Sequence, residues 1–217
     1  MSVVPAGKPR LRGVLHQFAA PGALGAGLVL VSMAPTLRAA TAAAVYALSL
    51  VVLFTVSATY HRVDWSTRAR AWMRRMDHAS IFVLIAGTYT PVALIGLPEA
   101  SGNSLLVAIW CGALLGVLQS LFWVHAPKVL TAVLAVAVGW TLVPYFGDVR
   151  RALGAWELGL IFAGGVAYTA GALAYALKRP DLKPGVFGYH EVFHALTLVG
   201  AALHFAAVLR LVQASAP

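Results

Sequence analysis

Hydrophobic positions fill long stretches of this chain, and charged positions are confined to short segments between them. Seven stretches of 18 to 28 residues contain no Asp, Glu, Lys or Arg. They are residues 13–37, 39–61, 78–98, 100–127, 129–147, 158–177 and 192–209. A helix needs roughly 17–25 mostly apolar residues to cross a bilayer, and its backbone groups must be bonded within the segment. The pattern therefore predicts an all-α membrane protein, a seven-transmembrane helix bundle.

The same pattern sets approximate boundaries. The predicted helices cover residues 14–34, 39–61, 78–97, 104–124, 128–146, 156–177 and 189–212. Together they form a single domain over residues 13–213. Residues 1–12 are predicted to be a flexible basic tail, and residues 214–217 a C-terminal tail.

Three local features add detail to the helices. Pro91 is expected to kink the third helix, with Thr88 or Thr90 bonding the freed carbonyl. Small residues recur every four positions in the sixth helix, at Ala163, Ala167 and Gly171, which predicts a close approach to a neighbouring helix. The basic segment over residues 62–77 fits either an amphipathic segment on the membrane surface or a solvated loop.

Composition supports a membrane protein over a soluble one. Hydrophobic residues make up 60% of the 217 positions and charged residues only 11%, whereas soluble domains are about a quarter charged. The multi-pass pattern predicts the cell membrane as the location. Cys111 is the only cysteine, so an intrachain disulfide is excluded.

The net charge of +9 is distributed in a way that predicts orientation. If the N-terminus is cytoplasmic, 12 of the 16 basic residues fall in cytoplasmic segments. That is the positive-inside bias, and it places the N-terminus in the cytoplasm and the C-terminus outside. The same placement argues against nucleic acid as a partner and in favour of anionic lipid headgroups.

The segment "FGYHEVFHAL" (187–196) carries the first candidate chemistry. His190 and His194 are four residues apart, so they lie on one face of a helix, one turn apart. Two imidazoles so placed are suited to binding one metal ion. The pattern also matches H-E-x-x-H, in which Glu191 would be the general base of a zinc protease.

Topology brings further polar groups to the same depth. His61 ends the second helix, with Ser57 one turn before it, and Asp77 precedes the third. Since the second helix ends where the third and seventh begin, these side chains are expected to meet His190 and His194. Three neutral imidazoles with one open position suit zinc, although ligand type alone leaves iron and copper open.

Several motifs together resemble the haemolysin III family. They are "RLRGVLHQFAAPGAL", "SATYH", "MDHASIFVLIAGTYTPV", "GGVAYTAGALAYA" and "FGYHEVFHAL", and they span essentially the whole chain. That family is grouped with the progestin and adipoQ receptors, including adiponectin receptors, and more distantly with alkaline ceramidases. The resemblance implies a seven-helix fold and zinc bound by His61, His190 and His194, with Asp77 positioning a water and Ser57 as a polar neighbour.

The candidate zinc site together with the family resemblance implies three candidate functions, the hydrolase by analogy with the ceramidases and pore formation from the family's name. The first is a zinc-dependent hydrolase of lipid amides or esters, with Asp77 and Ser57 as catalytic residues and membrane lipids as substrates. The second is a non-enzymatic sensor or regulator of membrane state with a structural zinc. The third is a pore-forming protein, although the mid-membrane polar residues are too scattered to favour a water-filled path.

Glu191 and most of the remaining histidines are expected to have structural roles, which argues against the protease alternative. Glu191 is expected to be an acidic residue favoured by the dipole in a first helical turn. His16 is a candidate neighbour of the site. His204 is predicted to be a hydrogen-bonded core residue, His78 to point away from the site, and His125 to lie in a loop.

Overall fold

A computed structural model describes residues 8–123 and 125–215, without the side chain of Lys128. These residues form helices and no β-strand. The helices are α1 (Val14–Ser32), α2 (Leu37–Arg62), α3 (Thr67–Pro91), α4 (Glu99–Phe122), α5 (Lys128–Gly139), α6 (Phe146–Ala152), α7 (Ala155–Leu177) and α8 (Tyr189–Ala214). Within the described ranges, seven segments are long and apolar enough to cross a membrane, α5 and α6 together forming the fifth. The predicted all-α, seven-span architecture is confirmed.

The third helix begins well before the predicted position. α3 starts at Thr67, where the Ser66 side chain accepts a bond from the Ala69 backbone N–H. Arg, Ala and Met are good helix formers, so residues 67–77 of the basic segment continue the membrane helix, while residues 63–66 form a short loop. Asp77 therefore lies inside α3 and not at its start. The uncharged run that begins at residue 78 covers only the apolar part of α3. The first turns of α3 are polar and precede that run.

The fifth span is broken, where a continuous helix was predicted. After Gly139 the chain makes a turn and a short 3-10 segment, Val143–Tyr145, before α6. Pro144 lies in that segment, and its lack of an N–H is incompatible with an unbroken ladder. The Tyr89 hydroxyl donates to the Gly139 carbonyl (2.5 Å) and accepts from the Leu142 N–H (3.3 Å). A buried side chain from α3 thus satisfies irregular backbone at membrane depth.

Pro91 changes the helix type in the third span. The chain continues from Pro91 into a π-helical segment, Val92–Gly96, a local adjustment that accommodates a proline within a membrane helix. Thr88 donates to the Leu84 carbonyl and Thr90 to the Ala86 carbonyl. The prediction that either would bond the freed carbonyl, which belongs to Gly87, was therefore wrong.

Small residues on α7 allow α8 to approach closely, as predicted. Gly164, Ala167, Gly171 and Ala174 are buried, and a Cβ added at Gly171 would lie 3.2 Å from the Leu196 Cβ. The face differs slightly from the predicted one, because Ala163 is exposed and Gly164 takes its place. Close packing here fixes how α8 presents its first turns.

We expect Gly116→Ala to destabilise the bundle. A Cβ at Gly116 would lie 2.2 Å from the ring of Phe82, which is fully buried, so the ring must move at a cost of about 1–3 kcal/mol. Gly25→Ala is the matched control, since nothing lies within 4 Å of its added Cβ and alanine gains up to about 1 kcal/mol in a helix. Thermal unfolding in one detergent measures both. Equal midpoints for the two variants would contradict this packing.

At one end of the bundle, the last turn of α2 lies beside the first turn of α8 and residues 8–13. Arg10 and Leu11 donate backbone bonds to Gly185 and Val186 in the loop before α8. Residues 8–12, predicted to belong to a flexible tail, are thus bonded to that loop, and residues 1–7 lie outside the described part. Gly13 has a φ of 77°, and a Cβ there would lie 2.5 Å from the Cβ of His61. The chain therefore passes directly over the α2 terminus.

Candidate metal centre

Three histidines converge where α2 and α8 meet. His61 comes from the last turn of α2, and His190 and His194 from the first two turns of α8. One ring nitrogen from each lies within 4.8 Å of the others, and the two Nε2 atoms of His61 and His190 are 3.2 Å apart. His61 and His194 are buried, and His190 is partly exposed. We call these three residues the histidine site.

Asp77 and Ser57 lie at the edge of this site. The Asp77 Oδ2 is 3.9 Å from the His61 Nε2, the same nitrogen that faces His190. Ser57 lies one turn before His61 on α2, is buried, and faces both the Asp77 carboxylate and the ring of His16. The structure thus brings together all five residues that the sequence singled out.

His16 is a further member of this environment. Its ring stacks on that of His194, with centroids 3.9 Å apart and planes 5° from parallel. Its Nδ1 is 2.9 Å from the Ser57 Oγ, and the ring is buried. His16 therefore fixes the ring plane of one histidine and the hydroxyl of Ser57. Its place near the end of the first span was the only sequence signal for this role.

The donor set fits a metal ion of intermediate softness. Imidazole nitrogens suit zinc, copper, iron and nickel. In a tetrahedral zinc site, with Zn–N bonds of about 2.0–2.1 Å, ligand nitrogens lie roughly 3.4 Å apart, close to the 3.2 Å between His61 and His190. Among the described residues three histidine nitrogens converge here, so a fourth position would be open to a water or a carbonyl oxygen.

Comparison with known proteins identifies the family. A family model described as haemolysin-III related matches residues 6–205. The chain belongs to the haemolysin-III-related family. It is 29% identical over 165 residues to a "Hemolysin-3 homolog" of Bacillus subtilis (strain 168), covering 76% of this chain and 74% of that protein. It is 29% identical over 174 residues to a "Hemolysin-3" of Bacillus cereus, covering 80% of this chain and 76% of that protein.

A plant protein is also similar. The chain is 31% identical over 185 residues to the "Heptahelical transmembrane protein ADIPOR2" of Oryza sativa subsp. japonica, covering 76% of this chain and 79% of that protein. The resemblance to adiponectin receptor-like proteins is thereby confirmed. Family membership and the seven spans make this a multi-pass membrane protein, and the bacterial relatives indicate the cell membrane.

Glu191 has a larger structural role in this haemolysin-III-related chain than the sequence suggested. Its Oε2 accepts the Gly188 N–H at 2.9 Å, as an acidic residue in a first helical turn does. Its Oε1 also pairs with the Arg12 Nε at 2.5 Å, and Glu191 is only 1% exposed. The prediction that it merely favours the helix dipole was incomplete, because position alone cannot reveal a partner 179 residues away. Both oxygens are engaged, which argues against a protease general base.

A cavity of about 310 Å³ extends from the histidine site into the bundle. Four basic residues, Lys8, Arg12, Arg70 and Arg74, line the cavity, and we call them the basic mouth because Lys8 and Arg70 are exposed at the surface. Partial desolvation, and then the charge of Arg70, lower the pKa of Lys8. The deeper walls come from α3, α5, α7 and α8 and are mostly apolar. The site thus combines a cationic entrance, a histidine cluster and an apolar interior.

The remaining histidines differ in their relation to this cavity. His125 lies in the turn after α4, as predicted. His78 lines the cavity beside Asp77, although it was expected to point away from the site. His204 lies ten residues beyond His194, which is about 15 Å along a helix, and its Nε2 is 2.9 Å from the Ile161 carbonyl oxygen. The predicted hydrogen bond of His204 is confirmed, and the residue is half-buried.

Proposed function

We propose that this chain is a zinc-dependent hydrolase of lipid amides or esters. One observation carries the proposal: a histidine cluster with a carboxylate at its edge lies at the entrance of a deep, mostly apolar cavity. His61, His190 and His194 would hold the ion. Zinc supplies Lewis-acid chemistry, which polarises a carbonyl and makes water more acidic.

The chain's own residues account for substrate placement. An amphiphile would place its hydrocarbon part against the apolar walls and its polar linkage beside the histidine site. The basic mouth would attract an anionic or strongly polar head. With the N-terminus cytoplasmic, as charge distribution predicts, this entrance opens toward the inner leaflet.

Proton transfer would fall to Asp77. Hydrolysis adds water across the C–N or C–O bond, so one proton must leave the water and one must reach the departing nitrogen or oxygen. The Asp77 carboxylate accepts the first proton and returns it to the leaving group, as a general acid–base pair requires. The Ser57 hydroxyl, with its orientation fixed by His16, donates to the substrate carbonyl or orients the water.

We expect Asp77→Asn to retain zinc and to lose turnover by about 10²–10⁴-fold, the usual contribution of a general base. The assay is hydrolysis of a panel of lipid amides and esters by purified, metal-loaded protein. Asp64→Asn is the matched control, because Asp64 is an exposed carboxylate in the loop before α3. If zinc-loaded wild-type protein hydrolyses no member of the panel, the hydrolase proposal fails for those substrates.

A structural metal in a non-enzymatic membrane sensor is the second candidate. It is favoured by the origin of the ligands, since His61 comes from α2 while His190 and His194 come from α8. An ion there would tie the two helices together at one end. In that case zinc removal would lower the thermal midpoint, while wild-type protein would show no turnover.

The described residues offer no observation in favour of the pore-forming alternative. Four buried hydroxyls donate to carbonyl groups of their own helices: Thr88 to Leu84, Thr90 to Ala86, Ser120 to Gly116 and Thr197 to Phe193. The hydrogens of these four hydroxyls are thus used by the helix backbone. The name "Hemolysin-3" belongs to the Bacillus cereus relative.

A further inference from the structure

Two buried polar atoms at the deep end of the cavity have no hydrogen-bond partner among the described residues. They are the Nδ1 of His204 on α8 and the hydroxyl of Tyr168 on α7. Both side chains line the cavity, and their ring centroids are 5.4 Å apart. Leaving a buried polar group unpaired is unfavourable, so we expect a bound group to form hydrogen bonds with these two atoms.

The bonding of His204 determines what that occupant must offer. Its Nε2 lies 2.9 Å from the Ile161 carbonyl oxygen, which can only accept, so Nε2 carries the hydrogen. In a neutral imidazole the Nδ1 is then an acceptor. Tyr168 presents an O–H that can donate. A group that donates to His204 and accepts from Tyr168 satisfies both atoms, and a hydroxyl does so, whereas a methylene satisfies neither and a carboxylate only one.

We propose that His204 and Tyr168 form a subsite for a hydroxyl group on the hydrocarbon chain of a bound amphiphile. The inference rests on the proposed function in one respect: the polar head of that amphiphile lies at the histidine site. It adds a preference within the substrate class, namely chains hydroxylated far from the head.

Geometry specifies where along the chain that hydroxyl falls. His204 is ten residues beyond His194, which is about 15 Å along α8. An extended hydrocarbon with bonds of about 1.5 Å advances roughly 1.25 Å per carbon, so the subsite lies near the twelfth carbon from the head. A hydroxyl beside the head would lie at the histidine site and gain nothing from Tyr168.

The test compares binding of stearate, 12-hydroxystearate and 2-hydroxystearate to purified zinc-loaded protein by competition with a fluorescent fatty acid. Each added hydrogen bond contributes about 0.5–1.5 kcal/mol, so we expect 12-hydroxystearate to bind roughly tenfold tighter than the other two. Tyr168→Phe removes only the hydroxyl and should reduce this preference to about threefold or less, while stearate binding stays within about twofold. Tyr46→Phe is the matched control, because Tyr46 is a buried tyrosine bonded to Ala201 and not a cavity residue.

The outcomes separate this subsite from the proposed function. Equal binding of all three acids would mean that only water occupies the subsite, which overturns this proposal and leaves the hydrolase proposal standing. A preference for 12-hydroxystearate that survives in both Tyr168→Phe and His204→Asn would also overturn it. If none of the acids binds, the cavity is not a site for these hydrocarbon chains and this proposal fails, while turnover of the lipid amide and ester panel separately decides the hydrolase proposal.

Discussion

His194→Ala is expected to abolish stoichiometric zinc binding by the purified protein. His194 is 2% exposed, and its ring lies between His16 on one side and His61 and His190 on the other. Removing it leaves two imidazole ligands, which is fewer than the three that catalytic zinc sites retain. Elemental analysis after dialysis against a weak chelator would measure about one zinc per chain in wild-type protein and almost none in the variant.

His125→Ala provides the matched comparison for metal binding. His125 is an exposed histidine in the turn after α4, on no wall of the cavity, so the variant should retain zinc as wild-type protein does. Equal zinc in His194→Ala and wild-type protein would contradict the assignment of this ligand. Loss in both variants would point to non-specific binding.

Glu191→Ala should destabilise the folded bundle by about 3 kcal/mol. Breaking a buried ion pair by removing one partner costs about 3–5 kcal/mol. We expect a loss at the lower end of this range. The Glu191 side chain is only 1% exposed, but the Arg12 side chain is 20% exposed and can be partly solvated. The Gly188 N–H also loses its acceptor, which loosens the first turn of α8. The measurement is chemical unfolding in a single detergent.

A second ion pair offers a direct comparison. Arg210 and Glu157 pair between α8 and α7, and the Arg210 side chain is 53% exposed. Exposed pairs contribute about 0–1 kcal/mol, so Glu157→Ala should cost much less than Glu191→Ala. Similar losses in the two variants would mean that the Arg12–Glu191 pair does not hold the N-terminal segment over the histidine site.

The membrane architecture was predictable because lipid imposes a simple rule on sequence. Each span must be apolar over a fixed length, so the uncharged runs located the seven spans. The rule does not apply at helix ends, where the chain leaves the hydrocarbon and its side chains contact water. α3 begins at Thr67 because a polar amphiphilic segment can remain helical outside hydrocarbon. The break after Gly139 was also missed, since it depends on Tyr89, a residue of another helix.

The candidate site residues on α2 and α8 were predictable because topology brings the ends of these helices to one depth, whereas Asp77 reaches the same site from within α3. His61, His190 and His194 needed only the direction of α2 and α8 to be placed together. Contacts that depend on side-chain packing were beyond the sequence pattern. The Glu191–Arg12 pair joins residues 179 positions apart, and the stacking of His16 on His194 depends on how α1 is placed against α8.

The unpaired atoms of His204 and Tyr168 were equally beyond the sequence. A histidine and a tyrosine in two apolar spans are each ordinary core residues. The structure shows that both side chains line one cavity and that neither the Nδ1 of His204 nor the Tyr168 hydroxyl has a partner among the described residues. Such features depend on empty volume, which a linear pattern does not encode.

We propose above all that α2 and α8 hold one metal ion between His61, His190 and His194. The most direct measurement is a crystal structure of the purified protein with anomalous data on both sides of the zinc absorption edge. We predict a single zinc peak within about 2.1 Å of one nitrogen of each histidine. A peak elsewhere, or no peak in protein shown by elemental analysis to contain zinc, would contradict the account.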